Sequence, residues 1–202
     1  MSLKDSQNKI QEKNIELEQR DKFIQKSIQS AVTIQEAILP YKQKLEELLK
    51  DYFIIYRPKD KVSGDFYWLN KIENKTILIA ADCTGHGVPG AFMTMIGNTL
   101  LDKIIRVWHI TNPAVILERL QDTSKQFTNH IIHLPPKSML YLGSDGLQDQ
   151  NDKNRKKFGK KRLIQLLNEV AHLPLDQQRQ IIEANLRDKK IITFPFQNFG
   201  TV

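Results

Sequence analysis

The chain has 202 residues, of which 40% are hydrophobic, enough for one domain with a real core plus an appendage. Lys and Arg number 30 against 23 Asp and Glu, and the net charge of +7 permits an anionic partner without demanding one. One cysteine, Cys83, excludes an internal disulfide and suits a reducing compartment, no apolar stretch reaches the roughly 18 residues of a membrane span, and the start MSLKDSQNK lacks a signal-peptide core, so the expected location is the cytoplasm.

Residues 1–40 hold no glycine and no proline before Pro40, and they are rich in Gln, Glu, Lys, Ile and Leu, which predicts a long helix. Leu3, Ile10, Leu17, Ile24, Ala31 and Ile38 recur every seven residues, but the companion positions Gln7, Asn14, Asp21, Ile28 and Gln35 are mostly polar. Two readings stay open: a dimeric coiled-coil signalling helix, or a single amphipathic helix lying on its own domain. Pro40 ends or kinks it.

A short second helix or a helical continuation is expected over 41–51, then strands over Asp51–Arg57 and Val62–Asn70, with Gly64 as a bulge or close-approach site. Thr76–Ala81 is the next strand. It opens the stretch TILIAADCTGHGVPGAFMTMI, in which an apolar run delivers Asp82 into a turn with Gly85, Gly87 and Gly90 at the start of a helix over 88–107. If Glu73 and Asn74 form a two-residue hairpin loop, Ile72 pairs with Lys75, and the register then sets Asp65 directly across from Asp82. Cross-strand Cβ atoms lie about 4.5–5.5 Å apart, so two carboxylates there repel unless a hard divalent cation such as Mg²⁺ or Mn²⁺ sits between them. A longer loop would offset the two acids and remove that need.

Further on, Asn112-Pro113 caps a helix through Leu120, Phe127–Leu134 alternates loosely as a strand, and Ser138–Gly143 is a strand running into Ser144-Asp145-Gly146. That repeats the earlier pattern of a strand ending in an aspartate and a glycine. Asn151–Arg162 is a basic loop, helices are expected over 163–171 and 175–186, and the tail contains a strand-like run broken by Pro195.

Several sharper readings of these residues fail. Gly85, Gly87 and Gly90 satisfy the dinucleotide fingerprint, but its acid about 20 residues on should end a parallel strand, and here Asp102 falls inside a helix. Cys83 and His86 have no second ligand pair in sequence, and Cys83 reads as a small residue at a strand end. The basic run has no interleaved aromatic residues, so it reads as a solvated loop and not as a nucleic-acid surface.

Four stretches resemble the metal-dependent Ser/Thr protein phosphatases of PPM type, in the bacterial branch typified by stage II sporulation protein E. They are Ile34-Gln35 through Leu39-Pro40, Val62-Ser63-Gly64-Asp65 with Phe66-Tyr67-Trp68, Asp82 through Ala91, and Leu140 through Gly146; Phe158-Gly159 with Arg162-Leu163 resembles a further stretch. The resemblance implies an α+β fold, an antiparallel β-sandwich flanked by helices and preceded by the long N-terminal helix, with a helical linker over 1–40 and the phosphatase-like domain over 41–202. It implies two Mn²⁺ or Mg²⁺ ions held by Asp65, Asp82, the backbone carbonyl of Cys83, and Asp145, with metal-activated water as nucleophile and no catalytic side chain. It also implies a phosphorylated regulatory protein of anti-anti-sigma type as substrate and an upstream sensor; the heptad leaves a homodimer through residues 1–40 open, and composition and patterning give no nucleic acid and no direct membrane span.

Two departures follow from the same comparison. The chain is expected to lack a central segment near Thr123-Ser124-Lys125, and to lack the closing strand with its metal-binding aspartate, since no acid follows Asp188. A tail of that kind fits a truncated or frameshifted gene. The expected domain is therefore incomplete, and a working phosphatase, a pseudophosphatase acting as a binding or dimerisation module, and a fragment unable to fold alone all remain open.

Overall fold

The computed structural model describes residues 3–58, 60–121, 125–136, 138–146, 148–150 and 157–185, together with the backbone of 192–197. The first half of the basic loop (151–156), Thr123-Ser124 and Asp188 lie outside the described residues.

Helix α1 runs Leu3–Ile38 without a break, as expected of a stretch free of glycine and proline, and α2 is Lys42–Leu48. Strands β1 (Asp51–Tyr52) and β2 (Ile55–Tyr56) follow, then the hairpin β3 (Asp65–Ile72) and β4 (Lys75–Asp82). Helix α3 (Val88–Leu101) passes into a π-helical segment, Asp102–Val107, and α4 is Pro113–Leu120. Strand β5 (Met139–Gly143), helices α5 (Gly159–Val170) and α6 (Leu175–Asn185), and strand β6 (Ile192–Gln197) complete the order.

Among the described residues two antiparallel sheets form. In one, β6 lies between β5 on one side and β1 and β2, end to end, on the other; the second is the β3–β4 hairpin. Side-chain alternation sorts the core into three seams. Phe53, Ile55 and Tyr141 pack against Leu166, Val170 and Ile182 of α5 and α6. Tyr52, Ile54, Tyr56 and Leu142 face the opposite way, onto Tyr67 and Leu69 of β3. Phe66 and Trp68, on the other side of β3, meet Leu101, Ile104, Ile105 and Ile116 of the α3–α4 region. The layers therefore run helices, sheet, sheet, helices, and β3 is buried on both faces from Asp65 to Leu69.

Three expectations are corrected. The strand over 51–57 is broken after Tyr52, yet the register against β6 runs on unchanged from β1 to β2, so the break falls opposite Phe194 and Pro195. Proline has no N–H to give a ladder, which is a physical reason for a gap there. Phe127–Leu134 is not a strand: Asn129 turns to the start of α4, where its Oδ1 accepts from Ala114 N–H (2.9 Å) and its Nδ2 donates to Asn112 Oδ1 (2.8 Å). The strand-like run of the tail, expected to be broken by Pro195, is one strand, β6, that runs through Pro195 at the middle of the larger sheet.

Candidate metal centre

The hairpin turn is the two-residue loop at Glu73-Asn74, with Glu73 at φ 53°, and Ile72 pairs with Lys75. Register then carries up the ladder without slip, and Asp65 and Asp82 are Cα partners at its open end. The two acids differ in setting. Asp65 is 3% exposed, whereas Asp82 is exposed at the end of an outer strand.

The approach to Asp65 is held backbone against backbone. A Cβ on Gly64 would stand 2.8 Å from the Cys83 carbonyl oxygen and 3.0 Å from that of Gly85, and a Cβ on Gly90 would stand 3.0 Å from Gly64 N. Only glycine permits the strand, the turn and the start of α3 to meet so closely. Cys83 N–H donates to Gly64 O (3.2 Å), and the buried Thr94 hydroxyl lies 3.0 Å from Ser63 O and 3.1 Å from Gly64 O. Asp65 N–H donates to Ser63 Oγ (3.0 Å), and Tyr56 donates its hydroxyl to Asp65 O (3.2 Å).

The third acid arrives from the other sheet. The β5 strand ends at Gly143, and Ser144 Oγ lies 3.5 Å from Asp65 Oδ2, while Asp145 stands beside Asp82. Burial pushes the Asp145 carboxyl above its usual range, the negative charges of Asp82 and Asp149 push it further, and Lys157 opposes them. The acids thus meet two at a time, Asp65 with Asp82 and Asp82 with Asp145. Among the described residues no three His, Cys, Asp or Glu side chains gather as one metal-holding group. The donor set is nevertheless of the right kind: hard carboxylate oxygens in a cluster whose like charges raise a proton affinity are what a divalent cation relieves.

The other candidates resolve cleanly. Burial, then the charges of Asp82 and Asp65, raise the Cys83 thiol, which disfavours a thiolate nucleophile. His86 is exposed, with Nδ1 3.3 Å from Asp60 Oδ2. Asp102 accepts from the Trp68 indole N–H (3.0 Å) and pairs with Arg106 (3.2 Å), so it serves the core and not a ribose. Ser144, Thr94 and Gln35 carry roles around the acids that spacing did not mark. Ser144 was readable as the residue before the strand-terminal Asp145; Thr94 and Gln35 show only in three dimensions.

A family model described as stage II sporulation protein E (SpoIIE) matches residues 122–192, which include Asp145. Among solved structures, the SiaA-PP2C domain of Pseudomonas aeruginosa is similar with a TM-score of 0.78 and 26% identity, over 89% of this chain and 98% of that one. The two findings support a PPM-type phosphatase family and give the chain a PP2C-like fold. No curated protein sequence matches it. Within this PPM-type fold, the two sheets between helix layers are the two-sheet sandwich that the resemblance implied, with the long helix α1 ahead of it. No helix among the described residues is long and apolar enough to cross a membrane.

Proposed function

We propose that this PPM-type chain is a metal-dependent protein serine/threonine phosphatase acting on phosphoserine or phosphothreonine of a regulatory protein of anti-anti-sigma type in the cytoplasm. The observation that carries the reading is the pairing of Asp65 with Asp82 across the ladder, with Asp145 beside Asp82. Asp65, Asp82, the Cys83 carbonyl and Asp145 would hold two Mn²⁺ or Mg²⁺ ions, Asp82 lying between the other two acids. Such cations supply Lewis acidity, making water a competent nucleophile at neutral pH and offsetting charge on the phosphoryl oxygens. The residues' own work is to fix the donors: Ser144 orients Asp65 Oδ2, and the glycine junction sets the Cys83 carbonyl beside the strand approach. An upstream sensor would act through α1, whose heptad face supports a homodimer.

A second reading, a pseudophosphatase that binds its phosphoprotein without turnover, is favoured by one observation: the acids meet pairwise and do not close on one point among the described residues. Hydrolysis of a phosphoserine peptide by the full chain, with Mn²⁺ and with EDTA, beside Asp82→Asn, separates the two. The phosphatase gives metal-dependent turnover that falls by at least about 100-fold in the variant, since a metal ligand is lost. A folded chain with no turnover that still retains the phosphoprotein after Asp82→Asn overturns the enzyme reading.

A further inference from the structure

Among the described residues β4 pairs with β3 alone, so its outer edge carries a row of backbone N–H and C=O groups with no strand beside them. That edge is recessed. It forms the floor of an apolar groove of about 530 Å³ that runs along residues 75–80. On one side Ile77 and Ile79 pack with Ile116 and Leu120 of α4; on the other, Leu78 and Ala80 pack with Leu142 of β5. A bare strand edge between apolar walls is a receptor for an extended segment, which gains affinity from its main chain and register from alternate side chains. The walls exclude a second β4 edge brought up on walls of its own, whereas a lone segment fits between them.

The chain itself exposes such a segment. Residues 125–135 form no helix or strand, and Ile131, Ile132 and Leu134 are 83%, 77% and 42% exposed. They are held away from the length of their own groove. Asn129 is tied to the start of α4, where Thr111 Oγ1 accepts from Lys75 Nζ (3.2 Å), so the segment leaves from the Lys75 end. Strand β4 runs to Asp82, and β5 runs to Ser144, which meets Asp65; both strands head towards the acids, so Met139 also lies at the Lys75 end. Five residues laid along the edge span about 17 Å. The nine residues 130–138 then leave too few to return, because Pro135 and Ser138 already close a turn (3.2 Å). Charge suits the same segment to the groove of another copy. No Asp or Glu lies between Asp122 and Asp145, and the segment carries His130 and His133, while beyond Ala80 the edge leads to Asp82 with Asp145 beside it. An acidic strand would be repelled there.

We propose that the β4 edge docks the 130–134 segment of a second copy, each copy giving its segment and receiving the other's. This needs no bound cation and stands apart from the phosphatase reading. A contact of five residues is small, and exchange in both directions doubles it. The pair therefore falls among the weak, concentration-dependent interfaces below about 1,200 Å².

Hydrogen exchange on the full chain tests it, with Leu17→Lys and Ile24→Lys in place to remove pairing through α1. From low to high protein concentration, exchange of the 75–80 amides should slow about fivefold or more. Adding Ile131→Lys with Ile132→Lys, at side chains that already face solvent, should abolish that slowing. A peptide spanning residues 127–135 should then restore it, and the same peptide with both isoleucines changed to lysine should not. Protection that does not vary with concentration would mean that each copy covers its own edge, and it overturns the proposal. Protection that survives the two lysine changes would put another surface on β4, with the same consequence. An edge unprotected at every concentration, or a peptide that restores nothing, overturns it as well.

Discussion

At Gly64 the chain has no room to spare. A methyl group there would press on the Cys83 carbonyl at 2.8 Å, and both neighbours it meets within 3.0 Å are backbone atoms. Gly64→Ala should therefore cost about 1–3 kcal/mol by chemical denaturation, and any Mn²⁺ binding should weaken with it, because relief can come only by moving the Asp65–Cys83 junction. Tyr141 offers a different test, far from the clash. Its hydroxyl donates to Gln178 Oε1 (2.6 Å), and the fully buried Gln178 donates to Leu173 O (2.8 Å). Burial pushes the Tyr141 phenol up to about 12. A folded-state value above the unfolded one means the contribution is whole below about pH 10 and is lost as pH rises towards 12. Ultraviolet titration should show one late-ionising tyrosine disappear in Tyr141→Phe, and the variant should lose less stability than the parent between pH 10 and 12. A tyrosine titration curve unchanged by the substitution would contradict this.

Among the elements, the hairpin was the most legible. Spacing left two loops open, and the two-residue turn at Glu73-Asn74 is the one that forms, with the register that sets Asp65 against Asp82. The helices α1, α2, α4, α5 and α6 also followed from composition, caps and periodicity. What was illegible depends on residues far away in sequence. Nothing in DYFIIYR announces a break after Tyr52, since its cause lies opposite at Phe194 and Pro195. Phe127–Leu134 carries a loose alternation, but Asn129 is bound to the start of α4, and that cannot be read from the segment itself. Gln35 sits at a polar companion position of the heptad, where exposure is the natural reading, and its burial depends on Ser63. The α4 start also yields a stability prediction. Asn112 Oδ1 accepts both Val115 N–H (3.2 Å) and Asn129 Nδ2. Asn112→Ala should cost about 1–2 kcal/mol in urea unfolding, at the upper end for a cap because the 129 segment loses its anchor too. A cost under about 0.3 kcal/mol would show that the cap is idle.

On the scale of the whole molecule, the three seams tie four layers into one body, and α1 stands out from it. Leu3, Ile10, Leu17 and Ile24, the heptad face, are 86%, 62%, 60% and 50% exposed. A second copy of α1 covering that face would make the chain a dimer, and sedimentation should find a dimer that Leu17→Lys with Ile24→Lys converts to monomer. A parent that sediments as monomer at all concentrations would leave α1 an unpaired helix. The position of β6 has a separate outcome, in the order of synthesis. The strand that joins β5 to β1 and β2 is at residues 192–197, while its partners begin at residue 51. A ribosome translating this chain makes the β3–β4 hairpin and the α3 helix long before the larger sheet can close. Until then Phe53 and Ile55 wait with an open edge beside them, and that edge is a liability for pairing with other chains through most of translation.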